Sequence, residues 1–316
     1  MEHKNISDLV ENEVFYGYYV ITDVKIALAK SGNNYLTLTI SDQSGKIQAI
    51  MWNYSGNICA KDVGRIVFIS AEVGYFRNYK QATASEVRLA DVTDIGLYSV
   101  ENLVPIAPID AVAAMDRIVK YIESIKDPDY QRIASALIYG NEEAFSTIPA
   151  GKSIHHSFLH GLLMHTLNVL DLSDNFAKKY DDVNRDLLIT GALLHDIGKI
   201  QEFVLSETGL VVDYSEDGQL LGHLTMGANQ VSEVAKALGT PECKSRLLQH
   251  LILSHHGTPE HGAAVLPACL ESELLSSADM IDSRAEIYRE HYSEMFSGEF
   301  SPFIYSLNKR IYKHAR

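Results

Sequence analysis

The chain has 316 residues, enough for two domains, and its 46% hydrophobic and 22% charged residues exclude a largely disordered protein. The net charge of −14 argues against a polyanionic partner for the chain as a whole, but residues 1–90 contain nine Lys/Arg and nine Asp/Glu. A neutral N-terminal module can still carry a basic face. Residues 1–5 are unlike a secretory signal, and no apolar run approaches the roughly 18 residues that span a bilayer. We therefore expect a cytoplasmic protein with no membrane partner.

The first 90 residues have the alternating pattern of short β-strands. The predicted strands are rich in aromatic and β-branched residues and are separated by turns containing Gly, Asn and Ser; they cover residues 15–24, 35–40, 47–52, 65–73 and 82–89. Five short strands in so little chain predict a small closed barrel, and their order and spacing resemble the OB-fold. We assign residues 1–95 to this barrel.

Beyond the barrel the pattern becomes helical. Pro105 and Pro108 interrupt residues 96–110, which we predict to be an interdomain linker. Residues 111–316 are predicted to form a helical domain with a C-terminal helical extension, except that two apolar runs around Thr208-Gly209 predict a hairpin. The predicted fold class is α+β multidomain, with a five-stranded OB-fold barrel followed by an all-α domain.

Residues of metal-ligand type recur on apolar helical stretches of this second domain. They are His165, the pair His195-Asp196, His223, the pair His255-His256, and Asp279. A lone histidine on an apolar face is more often packing than ligation, but burying an uncompensated aspartate costs several kcal/mol. The recurrence therefore predicts a divalent metal site. The three cysteines are far apart and form no Cys-x-x-Cys pair, so the donors are nitrogen and oxygen, which suit Mn, Fe, Co or Zn in a catalytic site.

The same residues resemble the signature of the HD-domain metal-dependent phosphohydrolases. With the barrel and the motifs Lys152-Ser-Ile-His-His156, Leu220-Leu-Gly-His223, residues 249–257 and Glu271-x-Glu273, the chain is similar over nearly its full length to the YhaM family of bacterial 3′-to-5′ exoribonucleases. The resemblance implies two divalent ions per chain. Manganese is expected, with Co²⁺, Fe²⁺, Zn²⁺ and Mg²⁺ as alternatives.

The resemblance also implies roles for individual residues. The first metal would be bound by His165, His195, Asp196 and Asp279, and a second would be completed by His223, His255 and His256. Asp196 would bridge the two ions, and Lys199 would approach the scissile phosphate. Asp196 and Lys199 are therefore the candidate catalytic residues.

The implied activity is the hydrolysis of single-stranded RNA from its 3′ end to nucleoside 5′-monophosphates by a metal-activated water, in a homo-oligomer. Single-stranded DNA is a second candidate substrate. Two other functions stay open: a phosphodiesterase or phosphatase for small nucleotides, and a non-catalytic nucleic-acid-binding scaffold. Gly257-Thr-Pro, after His256, differs from the Gly-Tyr-Pro triplet of HD enzymes that cleave cyclic di-GMP, which disfavours that branch.

OB-folds bind single strands by stacking bases on aromatic side chains and by following the phosphates with basic ones. The barrel candidates for such contacts are Lys25, Trp52, Tyr75, Phe76, Arg77, Tyr79 and Lys80. Trp52 and some of the tyrosines could instead fill the barrel core. His155 and His156 precede the first helix of the metal region and are further candidates, with a capping role as the alternative.

Overall fold

The computed structural model describes residues 3–30, 32–76, 79–152 and 156–315, except for the side chain of Glu294. The chain divides into two compact units. The first comprises Met1–Ile106 and Leu205–Val212, and the second comprises Ala107–Val204 and Asp213–Arg316.

Within the described residues of the first unit, five strands close into a barrel in the order β1-β2-β3-β5-β4. They are β1 (Val14–Leu28), β2 (Asn34–Asp42), β3 (Gly45–Met51), β4 (Ile66–Phe76) and β5 (Tyr79–Leu89). Neighbouring strands are antiparallel except for the parallel pair β3 and β5. This topology confirms the predicted five-stranded barrel of the OB type.

Alternating side chains create the barrel core. In β2, Leu36, Leu38 and Ile40 are fully buried because every second residue of a strand points to the same face. β1 is long enough to pair with both β2 and β4, and its register with β2 shifts between Ile21 and Asp23, where a bulge bends the strand. A continuous apolar core results.

The second unit is mainly helical. Its helices are α1 (Ala111–Glu123), α2 (Pro128–Tyr139), α3 (Glu142–Thr147), α4 (Gly161–Lys179), α5 (Arg185–Leu194), α6 (Lys199–Glu202), α7 (Glu216–Ala237), α8 (Glu242–Ser254) and α9 (Leu270–Glu294). Asn184 starts α5 by accepting a hydrogen bond from the Leu187 amide at 3.1 Å. From Leu187 to Leu194 every residue of α5 is buried, and α5 contacts α4, α8 and α9. It is the central helix of the unit.

The predicted hairpin is confirmed as the paired strands β6 (Phe203–Leu205) and β7 (Val211–Tyr214), with Gly209 at a φ of 79° in the connecting turn. The predicted C-terminal helical extension is wrong beyond α9. There β8 (Glu299–Phe300) pairs antiparallel with β9 (Tyr312–Lys313). Gly298, at a φ of 91°, and Pro302 are incompatible with a continued helix.

Among the helices that the structure describes, none has the length and apolar character needed to cross a lipid bilayer.

Candidate metal centre and nucleic-acid surface

Four helices bring the predicted ligands to one buried place. His165 lies in the second turn of α4, His195 and Asp196 directly follow α5, His255 directly follows α8, and Asp279 lies in α9. His165, His195, Asp196 and His255 are each at most 2% exposed. Because these helices pack on α5, the C-terminal ends of α5 and α8 converge on the second turn of α4 and the middle of α9.

One half of the site is centred on Nε2 of His165. This atom lies 3.0 Å from Nε2 of His195, 3.2 Å from Oδ1 of Asp279 and 3.4 Å from Oδ2 of Asp196. The Nδ1 of His195 donates to the Ala192 carbonyl at 2.9 Å, so its Nε2 presents a lone pair. Nδ1 of His165 likewise donates, to the Asp282 carboxylate at 2.7 Å. Two imidazole lone pairs would therefore face each other at 3.0 Å unless a cation lies between them. That cation is either a proton or a metal ion.

The other half of the site is centred on Oδ1 of Asp196. Nε2 of His223 and Nε2 of His255 each lie 3.6 Å from this oxygen. Their Nδ1 atoms are already committed, because His255 donates to the Ile252 carbonyl at 2.8 Å and His223 donates to Glu202 Oε1 at 3.1 Å. Both Nε2 atoms therefore direct lone pairs towards the same carboxylate.

These atoms meet a chemical test for a metal. Within the described part of the chain, the buried atoms Asp196 Oδ1, His223 Nε2, His255 Nε2 and His256 Nδ1 have no hydrogen-bond partner. Native proteins rarely leave buried acceptors unpaired, and a divalent cation would satisfy several at once. Ligand atoms of His223, His255 and His256 lie within 4.8 Å of one another, as do those of His165, His195 and Asp279. The donor set fits a divalent transition metal.

Backbone geometry directs His223 into the site. α7 is interrupted at Gly222, which has a φ of 71° that favours glycine, and His223 follows the break. Glu202 Oε1 then accepts hydrogen bonds from both the backbone amide of His223, at 2.9 Å, and its Nδ1. At Gly198, a Cβ would lie 2.2 Å from the His223 carbonyl oxygen, so the turn after Asp196 can approach α7 only with glycine there.

The carboxylates of the site are held ionised. Burial would raise the pKa of Asp196, but the Lys199 ammonium and His195 outweigh it and hold that pKa well below its usual range. Burial likewise opposes ionisation of Asp279, and His165 holds its pKa below the usual range. Lys199 is buried and its Nζ lies 2.7 Å from Oδ2 of Asp196.

The pKa values of the histidines in the site are shifted in opposite directions. Burial would lower the pKa of His165, but hydrogen bonds to Asp279 and Asp282 outweigh it and raise that pKa to about 10. Burial lowers the pKa of His256 to about 4 and holds the pKa of His255 well below its usual range. His255 and His256 are thus neutral at pH 7, the form in which imidazole binds metals.

Sequence reasoning missed two buried carboxylates, Asp282 and Glu202. Asp282 lies three residues after Asp279 in α9, a spacing that places both side chains on one face of a helix and was the available signal. Glu202 had no comparable signal. Glu271, part of the Glu271-x-Glu273 motif, accepts a hydrogen bond from the Asn184 amide at 2.7 Å and so supports the start of α5.

The prediction that His156 contacts nucleic acid is wrong. Its side chain is buried, 1% exposed for the residue as a whole, and its Nε2 lies 2.8 Å from Oδ2 of Asp282. His156 therefore faces the interior next to the metal site and cannot meet a bound strand. Two other predicted nucleic-acid contacts, His155 and Arg77, lie outside the described residues.

In the barrel, the predicted aromatic contacts are on the surface. Trp52 is 52% exposed and its ring lies 5.1 Å from that of Tyr35. Tyr75, Phe76 and Tyr79 are also exposed, where β4 and β5 pair. None of these four rings fills the barrel core.

Of the predicted basic contacts, Lys25 is exposed and lies 2.9 Å from Asp23. Lys80 Nζ lies 3.4 Å from the Ile6 carbonyl oxygen. Both lysines belong to the same unit as the exposed rings.

The helical unit contains an HD domain, since residues 162–284 match the HD domain family model. The chain is 32% identical to the 3′-5′ exoribonuclease YhaM of Halalkalibacterium halodurans, over 95% of this chain and 92% of that one. It is also 32% identical to the 3′-5′ exoribonuclease YhaM of Bacillus subtilis, over 94% of this chain and 93% of that one. The chain belongs to the YhaM family.

A solved structure, the second OB-fold domain of replication protein A from Methanococcus maripaludis, is 18% identical to the part of this chain that it matches. It covers 28% of this chain and 94% of that domain, with a TM-score of 0.23.

Proposed function

We propose that this protein is a metal-dependent 3′-to-5′ exoribonuclease that hydrolyses single-stranded RNA to nucleoside 5′-monophosphates. The observation that carries the proposal is the placement of Asp196 between two pairs of imidazole Nε2 atoms, at 3.4 Å on one side and 3.6 Å on the other. Membership of the YhaM family supports the direction and the class of substrate.

The donor set supports two divalent ions, and Asp196 would contribute carboxylate oxygens to hold them. His165, His195 and Asp279 would hold the first, and His223, His255 and His256 would hold the second. The proposed metal is manganese, as membership of the YhaM family implies. Imidazoles and carboxylates without thiolates also suit Co²⁺, Fe²⁺ and Zn²⁺, which are the alternatives. Bound in this way, divalent ions lower the pKa of a water molecule and neutralise charge on a phosphodiester.

The chain's own residues supply orientation and charge. Lys199 is the proposed contact to a non-bridging phosphate oxygen, because its ammonium already lies 2.7 Å from the central carboxylate. Glu202 and the carbonyls of Ala192 and Ile252 fix the tautomers of three histidines, so that the Nε2 lone pairs stay directed inwards. His165, His195, Asp196 and His255 are almost fully buried, and the low local dielectric strengthens the interactions that they make.

The barrel is the proposed site for the single strand. Exposed Trp52, Tyr75, Phe76 and Tyr79 would stack on bases, and Lys25 and Lys80 would accompany the phosphates. Base stacking does not distinguish RNA from DNA, so single-stranded DNA is a second proposed substrate. A cytoplasmic location and a homo-oligomeric state complete the proposal.

The test uses 5′-labelled RNA, DNA of the same sequence and a panel of nucleotides, each with and without Mn²⁺. Progressive shortening of the RNA from its 3′ end, dependent on Mn²⁺, is expected. Asp196→Asn should reduce this activity at least about 1000-fold, or roughly 4 kcal/mol in activation free energy. The control is Asp171→Asn, which should leave the rate unchanged. The Asp171 carboxylate lies outside the cluster and pairs with Arg117 at 2.6 Å.

Other outcomes would contradict the proposal. Hydrolysis confined to mononucleotides would make the protein a small-nucleotide phosphohydrolase. Binding of RNA without cleavage would make it a scaffold. Full activity of Asp196→Asn would remove the metal cluster from the reaction.

A further inference from the structure

A third carboxylate, Asp282, lies directly behind the metal-site histidine His165. Asp282 lies in α9 and is 5% exposed. Its Oδ2 accepts from Nδ1 of His165 at 2.7 Å and from Nε2 of His156 at 2.8 Å, and its Oδ1 accepts from the Asn168 amide at 2.8 Å. Both carboxylate oxygens are therefore engaged by N–H donors from α4 and from the segment before it.

We infer that Asp282 is a positioning residue for the metal centre: it holds the His165 proton on Nδ1 and thereby keeps Nε2 available to bind a metal ion. The inference rests on the metal site of the proposed function. It goes beyond that site because Asp282 itself is assigned no metal and no contact with RNA.

The alternative is that Asp282, His156 and His165 bind a metal themselves, since their ligand atoms also lie close together. The geometry disfavours it. His165 already directs Nε2 at Asp279 and His195, so binding a second ion through Nδ1 would require an imidazole deprotonated at both nitrogens. The Asn168 amide group also occupies Oδ1 of Asp282 as a donor, which a cation at that oxygen would displace.

The same carboxylate connects two parts of the chain to the metal centre. His156 precedes α4, and its bond to Asp282 holds that segment against α9. Asn168 lies three residues after His165 on α4, so Asp282 is bound to the helix at two points around the ligand. Rotation of the His165 ring would break the contact of its Nδ1 with Asp282 and the contacts of its Nε2 with Asp279 and His195. A carboxylate in this position raises the basicity of the ligand as well as orienting it.

Two variants separate orientation from simple packing. Asp282→Asn keeps an acceptor for His165 but removes the charge, and Asp282→Leu keeps a similar volume but removes both acceptors. Measured by calorimetry with Mn²⁺, affinity should fall about 10-fold for the first and about 100-fold for the second. The matched control is Asp174→Asn. Asp174 is a buried carboxylate of α4 that pairs with Arg185 at 2.8 Å, away from the site, and its variant should stay within about threefold of the parent.

A second measurement does not depend on a variant folding. In the parent protein loaded with diamagnetic Zn²⁺, ¹⁵N spectra should show the His165 ring protonated at Nδ1 and metal-bound at Nε2. The reverse assignment would overturn the inference.

The calorimetric outcomes also separate this inference from the proposed function. If the parent binds Mn²⁺ and both Asp282 variants bind it within threefold as tightly, the positioning role is wrong and the metal site stands. If the parent binds no Mn²⁺, the metal site of the proposed function is itself wrong, and the inference falls with it.

Discussion

A metal ion that binds Nε2 of His165 must displace a proton. In the metal-free protein, burial opposes protonation of this imidazole, but Asp279 and Asp282 raise its pKa to about 10. At pH 7 the ring therefore carries protons on both nitrogens. Asp282 keeps the proton on Nδ1, so the proton on Nε2 is the one that leaves when a metal binds.

Proton competition weakens metal binding by an amount set by the difference between the pH and the pKa of His165. Three pH units lie between 7 and about 10, so proton competition weakens metal binding at pH 7 by about 1000-fold, or about 4 kcal/mol. Between pH 6 and pH 8 the apparent Mn²⁺ affinity should rise about 100-fold. The low pKa values of His255 and His256 mean that these rings have no proton to lose in that range.

Calorimetry in buffers of different ionisation enthalpy measures the protons released. We expect about one proton per first ion at pH 7. Ionisation of a water on the metal could only add to this number. Release of less than half a proton, or an affinity that stays constant from pH 6 to pH 8, would refute the reasoning.

The proton on His165 that weakens metal binding also stabilises the folded state of the metal-free protein. Because the folded-state pKa of His165 is raised above its unfolded value of 6.5, its stabilising contribution is complete below pH 6.5 and is lost as the pH rises to about 10. The free energy involved is on the order of 5 kcal/mol. Thermal melting of metal-free protein should therefore occur at a lower temperature at pH 9 than at pH 6.5, and saturating Mn²⁺ should reverse that order.

Three further changes test other parts of the molecule. Glu202→Gln, which keeps an acceptor for His223 but removes its charge, should weaken Mn²⁺ binding about tenfold and Glu202→Ala about 100-fold in calorimetry; equal affinities would show that Glu202 does not orient the ring. Gly198→Ala places a Cβ 2.2 Å from the His223 carbonyl and should lower the melting temperature by several degrees, at a cost of about 1–3 kcal/mol; an unchanged melting curve would contradict this. Replacing Tyr75 and Tyr79 by alanine should weaken single-stranded RNA binding in anisotropy by about 1–3 kcal/mol per stacked base but leave its salt dependence unchanged, and unaltered affinity would exclude stacking at this hairpin.

The barrel was predictable because its information is local. Each strand alternates apolar and polar residues, and in β2 that alternation matches the burial of Leu36, Leu38 and Ile40. The C-terminal strands were not predictable from the same rule. Two-residue strands such as β8 are too short for any periodicity, and their small core of Ile287, Ile304 and Ile311 depends on contacts far apart in the chain.

The surroundings of each metal-site histidine explain why the predicted site was incomplete. His195 and His255 directly follow the last residues of α5 and α8, where the final carbonyls of a helix have no partner within the helix. Each ring therefore finds an acceptor for its Nδ1 three residues earlier, at Ala192 and Ile252, and presents Nε2 outwards along the helix end. An apolar helix that ends in histidine thus specifies both the position of the ligand and its tautomer.

His165 and His223 lack that local acceptor. His165 lies inside α4, where the carbonyls of the preceding turn are used by the helix itself, and His223 follows the break at Gly222. Their Nδ1 atoms depend on carboxylates from elsewhere in the chain, Asp282 for the first and Glu202 for the second. A ligand whose orientation is determined within one helix can be recognised from the sequence. A carboxylate that reaches the histidine only through the packing of α4, α6, α7 and α9 cannot. The residues that sequence reasoning missed are therefore those whose role is to orient a ligand from a distant part of the chain.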